Sequence, residues 1–176
     1  MQRILVIGSP GAGKSTLASR LSDQLGLPLI HLDREHWSAG WVSLPNDQWA
    51  ARVAELAARP SWIIDGNYAN TLDVRLNRAT TIIWLDLPRW LCMARIMRRV
   101  LTYRGRVRPD MAEGCPERLN LEFLRYTWNF SSHSRPKNEG LLKGLRSDQE
   151  LVVLRTPREV ADFLNRHRQR VLAVSA

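Results

Sequence analysis

The stretch Gly8-Ser9-Pro10-Gly11-Ala12-Gly13-Lys14-Ser15 has the residue types and spacing of a phosphate cradle, G-x-x-x-x-G-K-S. Its glycines let the main chain bend until several N–H groups point inward, and a helix opening at its end adds partial positive charge. Gly8, Pro10, Gly11, Ala12 and Gly13 form the cradle. Lys14 is placed to reach the β- and γ-phosphates of a nucleotide, the Ser15 hydroxyl to hold Mg²⁺, and Thr16 to reach the α-phosphate. The flanks fit this chemistry. Arg3-Ile4-Leu5-Val6-Ile7 is a short apolar run that reads as a buried strand, and Leu17, Leu21 and Leu25 fall on one helical face behind the lysine.

Phosphoryl transfer also needs an acceptor holder, a metal site and cations for the moving charge. Three further aspartates end predicted strands: Asp33 after 28–32, Asp65 after 62–64, and Asp86 within 81–86. Ligands gather at the carboxyl ends of the strands in an open parallel sheet. Asp33 is the candidate to hold or deprotonate an acceptor hydroxyl, with Arg34 and Trp37 beside it. Asp65 is the candidate to orient Mg²⁺ through water, and Gly66, Asn67 and Tyr68 extend that turn. Asp86, before Leu87-Pro88, reads as a structural cap. Trp41 with Trp37 suits either an acceptor platform or core packing, whereas Trp49, Trp62, Trp84 and Trp90 fall on apolar stripes. His31 and His36 are too isolated to argue for a metal or a base.

Arginines gather between 95 and 118, where Asp110, Glu113 and Glu117 are the acids. Arg95 and Arg99 share a helical face, as do Arg118 and Arg125. The stretch 103–116 lacks periodicity and holds Gly105, Pro109, Gly114 and Pro116, so it reads as a long loop of the kind that serves as a lid. An arginine-rich lid can close over a phosphate site and stabilise the transferring charge. Arg99, Arg106 and Arg118 are the catalytic candidates there.

These residues need a scaffold, and the chain supplies one. Helical patterns at 45–58, 70–78, 88 onward, 119–130 and 157 onward alternate with the strands, the last strand being 150–154. Ser131 to Asn138 is polar, contains Pro136 and reads as irregular. Thr156-Pro157-Arg158-Glu159 is a capping box with proline at the first helical position. Such alternation predicts a five-stranded parallel sheet covered by helices on both faces, a three-layer α/β/α arrangement. The 176 residues suffice for one domain with a buried core.

No apolar run approaches a membrane span, and the strand at the very start predicts no signal peptide, so a cytoplasmic protein is expected. Cys92 and Cys115 match no zinc spacing or disulfide framework. The net charge is +9, carried almost wholly by arginine, since Lys14, Lys137 and Lys143 are the lysines. Arginine's fixed fork suits phosphate, which allows a polyphosphate ligand, a nucleic acid backbone or a plain basic surface.

Several blocks together resemble the adenylate-kinase-like P-loop proteins called DNA topology modulation proteins. They are Gly8 to Thr16, His31-Leu32-Asp33 with Trp37 and Trp41, Ile63 to Tyr68, Ile83 to Arg89, Tyr103 to Arg118, and Glu122 to Phe130. The resemblance covers nearly the whole chain. It implies a P-loop NTPase core of the nucleoside and nucleotide kinase type, an acceptor-binding segment at about 33–70 and a lid at about 103–117. It also implies ATP and Mg²⁺ as cofactors and a small-molecule acceptor. Arg95 and Arg99 resemble the arginine pair before the lid of nucleoside monophosphate kinases, and Arg118 and Arg125 the pair after it, at a different spacing. Arg155, Thr156 and Pro157 would border the adenine. Asp65-Gly66 is similar to the start of the Asp-Gly-x-Pro-Arg acceptor motif, but Asn67-Tyr68 follows, without that motif's phosphate-binding arginine. The expected function is a small ATP-dependent kinase. The rival readings are a nucleotide-switched DNA-binding protein and an NTPase module with no acceptor.

Overall fold

The computed structural model describes residues 2–174. Five parallel strands form one sheet in the order β2-β5-β1-β6-β7, where β1 is Arg3–Gly8, β2 Leu29–His31, β5 Trp62–Asp65, β6 Thr81–Leu85 and β7 Glu150–Leu154. The period-two alternation of these strands divides the core. Leu5, Ile7, Ile64, Ile82 and Trp84 face one apolar layer. Ile4, Val6, Ile63, Ile83 and Leu85 face the other. Both layers are roofed by helices, which is why the central strands read as unbroken apolar runs.

The first layer is closed by α3 (Asn46–Ala58) and α4 (Leu72–Arg78). Trp49, Val53 and Leu56 repeat at three- and four-residue intervals and are buried there. The second is closed by α1 (Lys14–Leu25), α7 (Pro157–Val174) and the start of α5 (Arg89–Tyr103). Full burial of a leucine such as Leu17 or Leu21 contributes about 2 kcal/mol. Between β2 and α3 lie a five-residue helix, α2 (Leu32–His36), and a small hairpin of β3 (Trp37–Ser38) and β4 (Val42–Ser43).

One expectation is corrected. Ser131 to Asn138 is not irregular but lies inside α6 (Leu121–Leu142), which runs through Pro136. A proline in a helix interior costs about 3 kcal/mol, because it removes one hydrogen bond and crowds the preceding turn. Phe130 before it and Asn138 and Leu142 after it are buried, so both halves are held by packing. Asn120 caps the helix start by accepting the Phe123 N–H at 3.1 Å. The capping box before α7 forms as its spacing demands. Thr156 Oγ1 accepts the Glu159 N–H at 3.1 Å, and the Glu159 carboxylate accepts the Arg155 N–H at 2.7 Å. Among the described residues no helix is long and apolar enough to cross a membrane.

Candidate functional site

The parallel order brings the carboxyl ends of β1, β2 and β5 side by side, and a cavity of about 940 Å³ opens there. Its floor is the loop from Gly8 to Gly13. That loop needs glycine for space as well as for backbone freedom. A Cβ on Gly8, at φ +147°, would stand 2.4 Å from the Leu85 carbonyl oxygen. One on Gly11, at φ +76°, would stand 2.3 Å from that of Cys92. Gly13, at φ +96°, turns the chain into α1.

Lys14 opens α1, and its ammonium donates to the carbonyls of Gly8 at 3.0 Å and Ser9 at 3.1 Å. Burial pulls its pKa below the ordinary lysine value, against the opposing pull of Asp65 and Asp33. An ammonium has three donors, so one remains for a ligand. Pro10, Gly11, Ala12, Gly13, Lys14, Ser15 and Thr16 all line the cavity, while Gly8 lies buried at its base. Arg95 reaches the loop from α5, with its guanidinium donating to the Ala12 carbonyl at 2.9 Å.

The turn after β5 faces this loop and is tied to it. The Gly8 N–H donates to Asn67 Oδ1 at 3.2 Å. The Tyr68 hydroxyl donates to Asp33 Oδ1 at 2.7 Å, joining the end of β5 to α2. Burial, and then the negative charge of Asp33, pushes the Tyr68 phenol above its usual range, so it stays a donor. His31 and Asp65 are register partners on β2 and β5, with Nδ1 and Oδ1 2.7 Å apart. Burial opposes charge on His31, but the hydrogen bond to Asp65 and its charge outweigh that and raise the pKa. His31, Asp33, Trp37, Asp65, Gly66, Asn67 and Tyr68 all line the cavity.

Behind this turn lies Arg75, fully buried on α4. Its guanidinium donates to the carbonyls of Gly66, at 2.9 Å, Asn67, at 2.5 Å, and Tyr68, at 2.9 Å, and its Nε to that of Thr71, at 3.2 Å. Burial draws its pKa down to about 9, which leaves it charged at neutral pH. Sequence reasoning passed over Arg75. The available signal was its place on the inward stripe of a short helix, between Leu72 and Leu76.

The irregular segment 104–120 covers the opposite wall. Glu117, 6% exposed, gathers two arginines. Arg99 donates to Glu117 Oε1 at 3.1 Å. Arg108 Nε stands 2.7 Å from Oε2, close enough for a charge contact but off-line for a hydrogen bond. Arg108 also donates to Asp110 at 2.8 Å. The segment rests on the β3–β4 hairpin: the Gly40 N–H donates to the Gly114 carbonyl at 2.9 Å, and the Cys115 thiol to that of Ser38 at 3.1 Å. Arg118 lies over the Trp41 ring, 5.5 Å from its centroid.

Of the remaining sequence candidates, Arg99, Arg118 and Pro157 line the cavity. Arg34, Arg106, Arg125, Arg155 and Thr156 are exposed and do not line it. Arg108 and Glu117, passed over as site candidates, take part in its wall. Asp86 stands apart and accepts a hydrogen bond from Arg135 at 2.9 Å.

No protein-family model matches the chain. Over 110 residues it is 31% identical to an adenylate kinase of Mycobacterium leprae, a match covering 58% of this chain and 57% of that protein. Over 30 residues it is 60% identical to an adenylate kinase of Kocuria rhizophila, covering 17% of this chain and 16% of that protein. The matched stretches thus span less than two thirds of those relatives. Among solved structures, a shikimate kinase from Acinetobacter baumannii in complex with shikimate superposes with a TM-score of 0.63 at 15% identity, covering 98% of this chain and 94% of that one. A gluconokinase from Sinorhizobium meliloti 1021 gives 0.53 at 18%, covering 99% and 98%. The chain therefore has the three-layer α/β/α fold of the P-loop kinases, and its sequence similarity is to adenylate kinases.

Proposed function

We propose that this chain is an ATP-dependent phosphotransferase that moves the γ-phosphoryl group of ATP to a hydroxyl of a small molecule. The observation that carries the reading is one shared cavity. The Lys14 cradle, the Tyr68–Asp33 pair and the arginines of α5 and its following segment all face it. The triphosphate lies along the loop amides, and the remaining donor of Lys14 meets the β- and γ-phosphates. Asp33 accepts the acceptor's hydroxyl proton while Tyr68 fixes its carboxylate. The acceptor oxygen bonds to the γ-phosphorus as the bond to the β,γ-bridging oxygen breaks, and ADP leaves. Arg95, Arg99 and Arg118 stabilise the charge in transit, and the 104–120 segment acts as a lid that keeps water out.

A magnesium ion fits the donors present. Mg²⁺ keeps most of its waters and asks for one or two protein oxygens, which the Ser15 hydroxyl, and Asp65 through water, can supply. Among the described residues there is no cluster of three or more acids, histidines or cysteines of the kind a dedicated metal cage would need. When bound, the ion would neutralise charge on the β- and γ-oxygens.

The test is Lys14→Ala. Transfer or hydrolysis of ATP falls at least about a hundredfold while the thermal transition stays in place. Unchanged turnover in that variant removes the reading.

A second reading, a nucleotide-switched DNA-binding protein of the DNA topology modulation group, is favoured by one observation. Arg98, Arg104 and Arg106 are exposed outside the cavity, with no carboxylate in ion-pair contact among the described residues. It requires steeply salt-dependent binding to duplex DNA, and no binding at low ionic strength ends it.

A further inference from the structure

We infer that the acceptor carries no phosphoryl group: it is a hydroxylated molecule with one flat, apolar face. The inference rests on the phosphotransferase reading above and narrows its substrate class. A phosphate on the acceptor would need cations near Asp33 to hold it. Apart from Arg20 on α1 and the Lys14 donor kept for the nucleotide, most positive groups around the cavity carry other partners. Lys14 and Arg95 are tied to carbonyls of the cradle loop. Arg99 and Arg108 share Glu117, and Arg108 also holds Asp110. His31 is paired with Asp65. Arg75, the arginine that follows the Asp65–Tyr68 turn, is fully buried and spends its donors on main-chain carbonyls behind that turn.

That leaves, among the described residues lining this end of the cavity, Arg118, lying over Trp41, as the guanidinium with no carboxylate in ion-pair contact. A dianion there would face one cation and the carboxylates of Asp33 and Asp110, which also line the cavity. Like charge lining the same cavity weakens binding rather than supporting it.

The apolar face is an independent observation. Among the described residues, the non-glycine residues with positive φ are Trp41, at +65°, and Tyr68, at +35°. Both are aromatic and both line this cavity. Large side chains are held in that region only when their surroundings force it, and such residues cluster at ligand clamps. Here the forcing contacts are visible: the Trp41 N–H donates to the Ser38 carbonyl at 3.1 Å, and Arg75 grips the Tyr68 carbonyl. The Trp41 Nε1–H is also buried without a partner. Rings held in this way, with Trp37 edge-on to Trp41 at 5.6 Å, suit a planar or apolar body whose hydroxyl reaches Asp33.

Matched pairs of probes isolate the phosphate: adenosine and AMP, cytidine and CMP, pyridoxine and pyridoxine 5′-phosphate. ATP binding to the full chain is measured first, by calorimetry. Its absence removes the phosphotransferase reading itself. With binding established, ADP release and product mass are read for each pair. Tryptophan quenching by the same probes is read with a non-hydrolysable ATP analogue in place. The expected result is turnover or saturable quenching by at least one unphosphorylated member, at least about tenfold stronger than by its ester, and lost in Trp41→Ala. Turnover or tighter quenching by an ester overturns the inference, and so does a panel in which no unphosphorylated member acts.

Discussion

The hydroxyl of Tyr68 and the carboxylate of Asp33 meet at 2.7 Å across two elements, the turn after β5 and the short helix α2. Neither residue is near the other in sequence, yet together they fix one carboxylate oxygen in the wall of the cavity. Under the proposed function, the other oxygen is the one that receives the acceptor hydroxyl. Removing the donor by Tyr68→Phe leaves the ring packed against His36 and Trp49 and frees Asp33 to turn. We expect turnover to fall about tenfold, the loss of roughly one hydrogen bond's contribution, with little change in thermal stability. Unaltered kinetics in this variant would show that Asp33 needs no orientation.

Arg75 poses a sharper question of energy. Its guanidinium satisfies the carbonyls of three successive residues in a place water does not reach. Arg75→Met preserves volume but orphans those carbonyls, so we expect a loss of about 3 kcal/mol in urea unfolding. Arg75→Lys recovers less than half, because an ammonium lacks the planar fork. The activity loss in the lysine variant should exceed what the unfolded fraction explains. The turn it holds carries both Asn67, bonded to Gly8, and Tyr68, bonded to Asp33. Full stability in the methionine variant refutes this account.

How much of this could be read in the sequence follows the range of the interactions. The phosphate loop, the five strands and the capping box at Thr156 are set by neighbours within a few residues, and they stand where periodicity and turn chemistry put them. Helix α6 runs through Pro136 although local propensity argues for a break there. The burial of Phe130, Asn138 and Leu142 that overrides it is tertiary. Lys14 and Asp33, which the fold brings to the cavity, stand out in the sequence by type and position. Glu117 and Arg75 do not. One becomes distinctive only when Arg99 and Arg108 converge on it, and the other only when the turn folds over it. Arg106 and Arg108 lie two residues apart in a loop without period, and only the fold shows which of them lines the cavity.

Two histidines set opposing pH dependences. His31 binds its proton more tightly in the folded protein than its ordinary 6.5, because the pull of Asp65 exceeds the cost of burial. Its contribution to stability is therefore complete below about pH 6.5 and is lost as pH rises through the folded value. His36 is lowered by burial, among the rings of Trp37, Trp49 and Tyr68. Its contribution is complete above about pH 6.5 and is lost as pH falls through the folded value. Urea midpoints between about pH 5 and 8 should fall less on the alkaline side in His31→Gln and less on the acid side in His36→Gln. Parallel curves for wild type and both variants would contradict these environments.

Glu117 carries the last prediction. It is buried between two guanidiniums, and its own main chain is pinned on both sides: the Gly105 N–H donates to its carbonyl at 3.1 Å, and its N–H donates to that of Arg106 at 2.9 Å. Glu117→Gln keeps the shape and removes the charge. Arg99, already drawn below its ordinary pKa by burial and then by the charge of Arg108, is left facing that cation with only Asp110, itself bonded to Arg108, as a nearby counter-charge. The relief available is outward movement of the 104–120 segment. Amide exchange at Gly105 and Glu117 should therefore rise at least about tenfold while the amides of β1 and β6 are unaffected. Turnover should fall, because an open segment admits water to the cavity. The competing idea is that Glu117 merely withholds Arg99 and Arg108 from the nucleotide. In that case the same variant would bind ATP more tightly with exchange unchanged. The first outcome raises exchange and the second raises ATP affinity with exchange unchanged, so one protein sample decides between an acid that braces the segment and an acid that competes with the ligand.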